Sequence, residues 1–137
     1  MIFFRIGCYT LIVTCFLHLI GHFQVAVPTN DTEKQLLELM ANYQIDVGNG
    51  DTITMQGLQK GFSLFFSLFF LWSGSLSLLL SHRLAEQKAL LRNISFINTI
   101  SLGIGTGISL VYFFLIPTAC IAVAFLFFTI ASSRINK

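Results

Sequence analysis

The chain has 137 residues, of which 55% are hydrophobic and only 10% are charged, and its formal net charge is +2. An average soluble domain carries about 25% charged residues, so this composition is typical of an integral membrane protein. The small net charge argues against a nucleic-acid partner. The three cysteines lie in apolar segments, without the spacing of a disulfide framework or a zinc site.

The first apolar run, residues 6–27, predicts a membrane-spanning helix. A helix rises about 1.5 Å per residue and the hydrocarbon core is about 30 Å thick, so about 20 residues cross it. Arg5 before the run and the small residue in QVAV near its end also fit a cleaved secretory signal, which is the alternative interpretation. A signal core of usual length would end near Phe16, whereas this run continues to Val27, so the sequence favours a retained helix.

The polar segment that follows predicts a short amphipathic helix, residues 31–44, in the first outer loop. Asn30 and Glu33 have the spacing of a capping box, in which two side chains bond free N–H groups at a helix start. Apolar residues then recur at helical spacing: Leu36, Leu39, Met40 and Tyr43. Gly48 and Gly50 in DVGNGD supply the positive φ angles that the next turn requires.

Three further spans, residues 61–81, 94–115 and 117–133, complete a predicted all-α, four-helix membrane bundle. The last two come from one long apolar run that Pro117 divides, because proline is tolerated in the first turn of a helix but not in its interior. Around residues 61–81 the small and polar side chains follow one line, opposite the bulky aromatic ones. That line is formed by Gln56, Lys60, Ser63, Ser67, Gly74, Ser77 and Ser81. We expect it to face other helices and the aromatic side to face lipid.

The distribution of positive charge predicts the orientation. Of the eight Lys and Arg residues, all but Lys34 and Lys60 fall on the side of the two chain ends, Lys137 included. The positive-inside rule then places both termini in the cytoplasm, in a multi-pass protein of the cell membrane.

Two histidines in the first span, His18 and His22, are the best candidates for a functional site. Ionisable side chains inside a membrane are costly unless paired, so they mark functional sites by default. Helical spacing places both on one face with Cys15, at about the depth of Ser63 and Ser67 in the second span.

Three interpretations of the histidines remain open. In the first, each imidazole bonds Ser63, Ser67 or water and holds helices together. In the second, a site for an isoprenoid, quinone or other lipid head group is formed by His18, His22, Ser63, Ser67 and Tyr112. In the third, Cys15, His18 and His22 supply part of a metal site, although the sequence offers no complete shell of ligands. The sequence identifies no cofactor and no catalytic arrangement, because every carboxylate lies in a loop.

Several stretches together resemble a family of small, uncharacterised bacterial membrane proteins with four helices. They cover nearly the whole chain: RIG at residues 5–7, HLIGH at 18–22, LLELMANYQIDVG at 36–48, GFSLFFS at 61–67 and YFFLIP at 112–117. The resemblance implies residence in the inner membrane with the topology given above, and it implies no activity. The chain departs from the family pattern at MQGLQKGF before the second span, and at Ser63, where a second glycine is usual.

The sequence therefore predicts a small, non-enzymatic inner-membrane protein that acts through the lipid bilayer, other membrane proteins or self-association. Two alternatives stay open. One is a head-group binding protein that uses His18 and His22, and the other is a metal-binding membrane subunit.

Overall fold

The computed structural model describes residues 1–135, so Lys137, one of the cations used for the orientation, lies outside the described residues. Within this range, five helices and one two-stranded sheet follow one another along the chain. They are α1 (Ile2–His22), α2 (Asp31–Asn42), β1 (Gln44–Gly48), β2 (Asp51–Thr54), α3 (Met55–Arg83), α4 (Lys88–Tyr112) and α5 (Leu115–Arg134). Four of the described helices, α1, α3, α4 and α5, are long and apolar enough to cross a membrane. This agrees with the multi-pass membrane class that the composition predicts.

The membrane-length helices begin and end at other residues than the sequence predicts. α1 ends at His22 rather than at residue 27. The residues that follow include β-branched side chains and precede Pro28, and both features disfavour helical geometry. α3 begins at Met55 rather than at residue 61, because the Thr54 hydroxyl accepts a hydrogen bond from the Gly57 N–H (3.0 Å) and caps the helix there.

The boundary between α4 and α5 lies close to the predicted one. α4 begins at Lys88, before the predicted residue 94, and ends at Tyr112 rather than at residue 115. α5 begins at Leu115, so Pro117 lies in its first turn, where no backbone N–H is required. The interpretation of the long apolar run as a helical hairpin is therefore confirmed.

The start of α2 is fixed by side-chain hydrogen bonds. The Asn30 side-chain oxygen accepts from the Glu33 N–H (2.9 Å), as the capping box predicts. The Glu33 carboxylate, however, accepts from the N–H (2.7 Å) and hydroxyl (2.8 Å) of Thr29, one residue earlier than in the standard motif. These bonds hold the Glu33 pKa below its usual value of 4.5.

A β-hairpin joins α2 to α3, where the sequence analysis predicted only a turn. β1 and β2 pair antiparallel, with Ile45 opposite Ile53. The turn has positive φ at Gly48 (96°), Asn49 (58°) and Gly50 (82°), as expected for the two glycines. The Asp46 carboxylate accepts from the Gly48 N–H (2.8 Å) and stabilises the same turn.

The four membrane-length helices form a row in the order α3, α1, α5, α4. α1 packs against α3 on one side and α5 on the other, and α4 packs against α5. Between α3 and α4 the contacts are few. The predicted bundle is therefore open along the side between α3 and α4.

The buried core lies toward one end of the helices along their axes. We call it the terminal end, because α1 begins and α5 ends there. The core contains Phe4, Cys8, Leu11, Leu91, Ala124, Phe128, Ala131 and Ile135. The rings of Phe4 and Phe128 meet edge to face, with their centroids 5.3 Å apart. The opposite end, where α1 ends and α3 begins, is called the loop end.

Small residues allow the close approach of α1 to its two neighbours. A β-carbon added at Gly74 of α3 would lie 2.9 Å from the Cys8 carbonyl oxygen in α1. One added at Gly7 would lie 3.0 Å from the Phe128 ring in α5. The buried residues of α3 are Ser67, Gly74, Ser77 and Ser81. These four belong to the predicted small and polar stripe, so the prediction that it faces other helices is confirmed for this part of it.

Candidate functional site

The candidate site lies on the face of α1 that packs against α3, toward the loop end. The His18 Nε2 atom is 3.2 Å from the Ser63 Oγ atom of α3, and the tautomer of the imidazole decides which group donates. Ser67, one turn further along α3, donates its hydroxyl to the Ser63 carbonyl oxygen (3.0 Å). His18 and Ser63 thus form a polar contact across the interface between α1 and α3, whereas the Ser67 hydroxyl bonds within α3.

His22 lies one turn beyond His18 on the same face of α1. It is the last residue of the helix, and its ring meets that of Phe23 edge to face at a centroid distance of 5.0 Å. Tyr112 is the last residue of α4 and is 79% exposed. Because α4 packs mainly on α5, Tyr112 is not part of the polar contact between His18 and Ser63.

Burial decreases along this face of α1 toward the loop end. Leu11 and Cys15 are each only 1% exposed, whereas His18 and His22 are both partly exposed. The two imidazoles therefore lie where the helix packing loosens, and a molecule from outside can reach them.

The structure does not assemble Cys15, His18 and His22 into a set of metal ligands. Among residues 1–135, no three His, Cys, Asp or Glu side chains are grouped so that they could hold a metal ion. Cys15 is buried in the helix packing, where a free cysteine behaves as a small apolar side chain.

Two shallow grooves lie on other parts of the surface. One follows the outward face of α3 and is lined by Leu68, Trp72 and Leu76, among other residues. The second lies on α2, where Glu38 and Tyr43 contribute to its lining. Neither groove is lined by a histidine.

A second polar contact stabilises the loop end between α4 and α5. The Ser109 and Thr118 hydroxyls are 2.7 Å apart, and both residues are buried. Thr118 also donates toward the Phe114 carbonyl oxygen (3.0 Å) at the start of α5. This pair was not predicted from the sequence.

A third polar contact, at the terminal end, was missed. The Arg5 Nη2 atom of α1 is 3.4 Å from the His82 Nδ1 atom of α3. The signal in the sequence is the position of these residues, because both lie at span ends that antiparallel packing brings to the same depth.

Comparisons of the chain with protein-family models, with curated protein sequences and with solved structures find no match. The resemblance to small bacterial four-helix membrane proteins therefore stays a prediction. The function has to be inferred from the residues of the chain itself.

Proposed function

We propose that the protein is a small, non-enzymatic membrane protein that acts through contacts of its apolar helix faces with lipids and other membrane proteins. The observation that carries this proposal is the apolar outward face of each of α3 and α4. On α3 it consists of Phe65, Phe69, Trp72, Leu76 and Leu79, all exposed. These side chains lie opposite the buried stripe, so they face whatever surrounds the protein.

The outward face of α4 is equally apolar. Its side chains, each between 47% and 73% exposed, are Ile97, Ile100, Ile104, Ile108 and Val111. Two polar side chains of α4 bond within the helix itself: Asn98 donates to the Ile94 carbonyl oxygen (3.0 Å) and Thr106 to that of Leu102 (2.8 Å). The outward face, on which Ser101 is an exposed polar side chain, is otherwise apolar and suits lipid tails or an apolar partner helix.

In this proposal His18 has a structural role. Its bond to Ser63 links α1 to α3 at the end of the molecule where few large side chains are buried. Hydrogen bonds between membrane helices are a recognised means of holding such helices together.

The proposal includes the orientation and the membrane that the sequence predicts. Both chain ends lie in the cytoplasm of a bacterial cell, and the protein resides in the inner membrane, as the resemblance implies. The charge distribution supports this, because Arg83, Lys88 and Arg92 lie near the connection between α3 and α4. On the other side, α2 lies at the membrane surface with Leu36 and Leu39, both exposed, toward the lipid.

Site-specific photo-crosslinking in the native membrane tests the function. A photoreactive residue at Trp72 or Ile104 should give crosslinks to lipids or to discrete protein partners, whereas one at the buried Ser77 should give crosslinks only within the chain. Equal patterns from all three positions would contradict the proposal. So would a chemical turnover of a membrane substrate that is lost in His18→Ala.

Cysteine accessibility tests the orientation. In a cysteine-free background, Thr32→Cys in α2 should react with a membrane-impermeant maleimide in intact cells. Gln87→Cys, between α3 and α4, should react only after the cells are opened. The reverse order of labelling would overturn the orientation.

A head-group binding site remains a second candidate function. The observation in its favour is that His18 and His22 are both partly exposed at the loop end. Native mass spectrometry of gently solubilised protein should then show a bound isoprenoid, quinone or lipid. That molecule should be lost in the His18→Ala, His22→Ala double variant and kept in Thr129→Ala, a substitution at an exposed position of α5. Retention in the double variant would reject this candidate.

A further inference from the structure

We propose that Arg5 and His82 form a binding site for the phosphate group of an anionic phospholipid at the terminal end of α1 and α3. This proposal rests on the proposed role in membrane contacts and names the class of lipid for one of them.

The contact between Arg5 and His82 leaves only hydrogen-bond donors, and no acceptor, free to bind a ligand. The Arg5 Nη2 atom lies 3.4 Å from the His82 Nδ1 atom. A guanidinium group can only donate, so Nδ1 must accept and the imidazole proton is on Nε2. The pair therefore offers the other N–H groups of Arg5 and the Nε2–H of His82, and no acceptor.

One donor of Arg5, its Nε–H, lacks an acceptor in the described part of the chain, whereas Nη2 donates to His82. The Nε atom is buried and has no hydrogen-bond partner among residues 1–135. A buried donor without a partner is unfavourable, and a guanidinium group is best satisfied by a bidentate bond to a carboxylate or a phosphate. Arg5 is partly exposed and His82 is exposed, so an anion can reach the pair from outside.

The charges around the pair favour an anion. Arg83, Lys88, Arg92 and Arg134 all belong to helix ends at this side of the molecule, and the Arg134 guanidinium lies 5.2 Å from the centre of the Phe3 ring. Of the six acidic residues in the sequence, Glu86 lies near these helix ends, and the other five lie within residues 31–51. A negatively charged head group is thus favoured over a zwitterionic one.

The neighbouring apolar side chains favour a lipid over a free phosphate ion. The Tyr9 ring follows Arg5 by four residues and Leu79 precedes His82 by three, so each lies beside its polar neighbour on the helix surface and about one turn deeper in the membrane. Both side chains are exposed. Arg5 and His82 lie at the ends of their spans, at the depth of lipid phosphates, and the apolar pair can contact the acyl chains.

Lipid binding to the purified full chain tests the site. Native mass spectrometry would compare phosphatidylglycerol, phosphatidylcholine and inorganic phosphate as probes, for the wild type, Arg5→Gln and Arg92→Gln. Arg92 is the matched control because it is an exposed cation of α4 that also lies at the terminal end. We expect Arg5→Gln to weaken phosphatidylglycerol binding about tenfold, as for loss of a charge-assisted bond, and Arg92→Gln to weaken it by less than about threefold.

Three results would overturn the proposal. They are equal losses in Arg5→Gln and Arg92→Gln, equal affinity of the wild type for both lipids, or binding of inorganic phosphate without preference for the lipid. His82→Leu gives an independent measurement if Arg5→Gln does not fold, since His82 is exposed, and it should also weaken phosphatidylglycerol binding. If the Trp72 and Ile104 crosslinks persist while the lipid preference fails, only this site is rejected and the proposed function stands.

Discussion

The terminal end and the loop end of the four helices are held together in different ways. At the terminal end, large apolar side chains are fully buried, and Gly74 and Gly7 bring the helices into close contact. Hydrogen bonds between helices occur at both ends: Arg5 to His82 and Ser95 to the Phe128 carbonyl oxygen at the terminal end, and His18 to Ser63 and Ser109 to Thr118 at the loop end. At the loop end, however, few large side chains are buried around them.

This difference follows from side-chain size rather than from hydropathy. Both ends are apolar, and in a bilayer an exposed apolar side chain carries no penalty because lipid tails solvate it as well as another helix does. Helix association then depends on close packing, which small residues and edge-to-face rings supply at the terminal end. We therefore expect the terminal end to determine stability and the loop end to remain adaptable.

The largest effect should come from Phe128, the aromatic residue at the centre of the terminal core. Phe128→Ala removes the edge-to-face contact with Phe4 and leaves a cavity beside Gly7, at a cost of about 3 kcal/mol in the free energy of unfolding. Unfolding in mixed micelles measures it. Phe65→Ala, on the outward face of α3, is the control and should change stability little. Equal losses in the two variants would show that the core is not concentrated at the terminal end.

Gly74 should have the next largest effect. Gly74→Ala places a methyl group 2.9 Å from the Cys8 carbonyl oxygen, so α1 and α3 must move apart, and the unfolding free energy should fall by about 1–3 kcal/mol. Gly107→Ala in α4 is a matched substitution with no atom within 4 Å, and it should leave stability equal or slightly higher. A loss of the same size in Gly107→Ala would contradict the close-approach argument.

At the loop end, a double-mutant cycle of His18→Ala and Ser63→Ala should give a smaller coupling. Hydrogen bonds between membrane helices average about 0.6 kcal/mol and reach about 1.7 kcal/mol. The coupling energy follows from the unfolding free energies of the two single variants and the double variant. A value near zero would mean that the contact between His18 and Ser63 contributes nothing to holding the loop end together.

The smallest effect concerns pH and α2. Because the Glu33 pKa is lowered in the folded protein, its bonds to Thr29 are fully present above about pH 4.5 and are lost as the pH falls through the folded value. Amide hydrogen exchange at Thr29 should accelerate at low pH, relative to the intrinsic rate, in the wild type. Glu33→Gln should abolish this acceleration, and Glu38→Gln, on the exposed surface of α2, should keep it. If exchange at Thr29 had the same pH dependence in the wild type and in Glu33→Gln, the bonds between Glu33 and Thr29 would not depend on the charge of the Glu33 carboxylate.

The sequence predicted well those features that depend on one helix alone. The membrane-length helices, the break in the long apolar run near Pro117 and the burial of Ser67, Gly74, Ser77 and Ser81 all follow from hydropathy, proline geometry and helical period, although α5 begins at Leu115 rather than at the predicted residue 117. The Asn30 cap is likewise local, because Asn30 and Glu33 are close in the chain. The hairpin was missed although Asn49 and Gly50 carry a recognised turn signal.

Features that depend on the relative placement of helices could not be predicted in the same way. Periodicity indicates which face of a helix is buried, but the open side between α3 and α4 depends on crossing angles that the pattern does not contain. Tyr112 was therefore assigned to the site with His18, although it lies at the exposed end of α4. The contact between Arg5 and His82 required the register of α1 against α3, which depends on Gly74.

The direct connection of the hairpin to α3 has a mechanical consequence. Thr54 is both the last residue of β2 and the capping residue of α3, so no linker separates the sheet from the helix. With 29 residues, α3 is about 43 Å long, whereas a bilayer core is about 30 Å thick. The helix must therefore tilt or extend beyond the core. Because the hairpin is joined to α3 without a linker, a change of bilayer thickness that alters the tilt of α3 also moves the hairpin relative to the membrane surface.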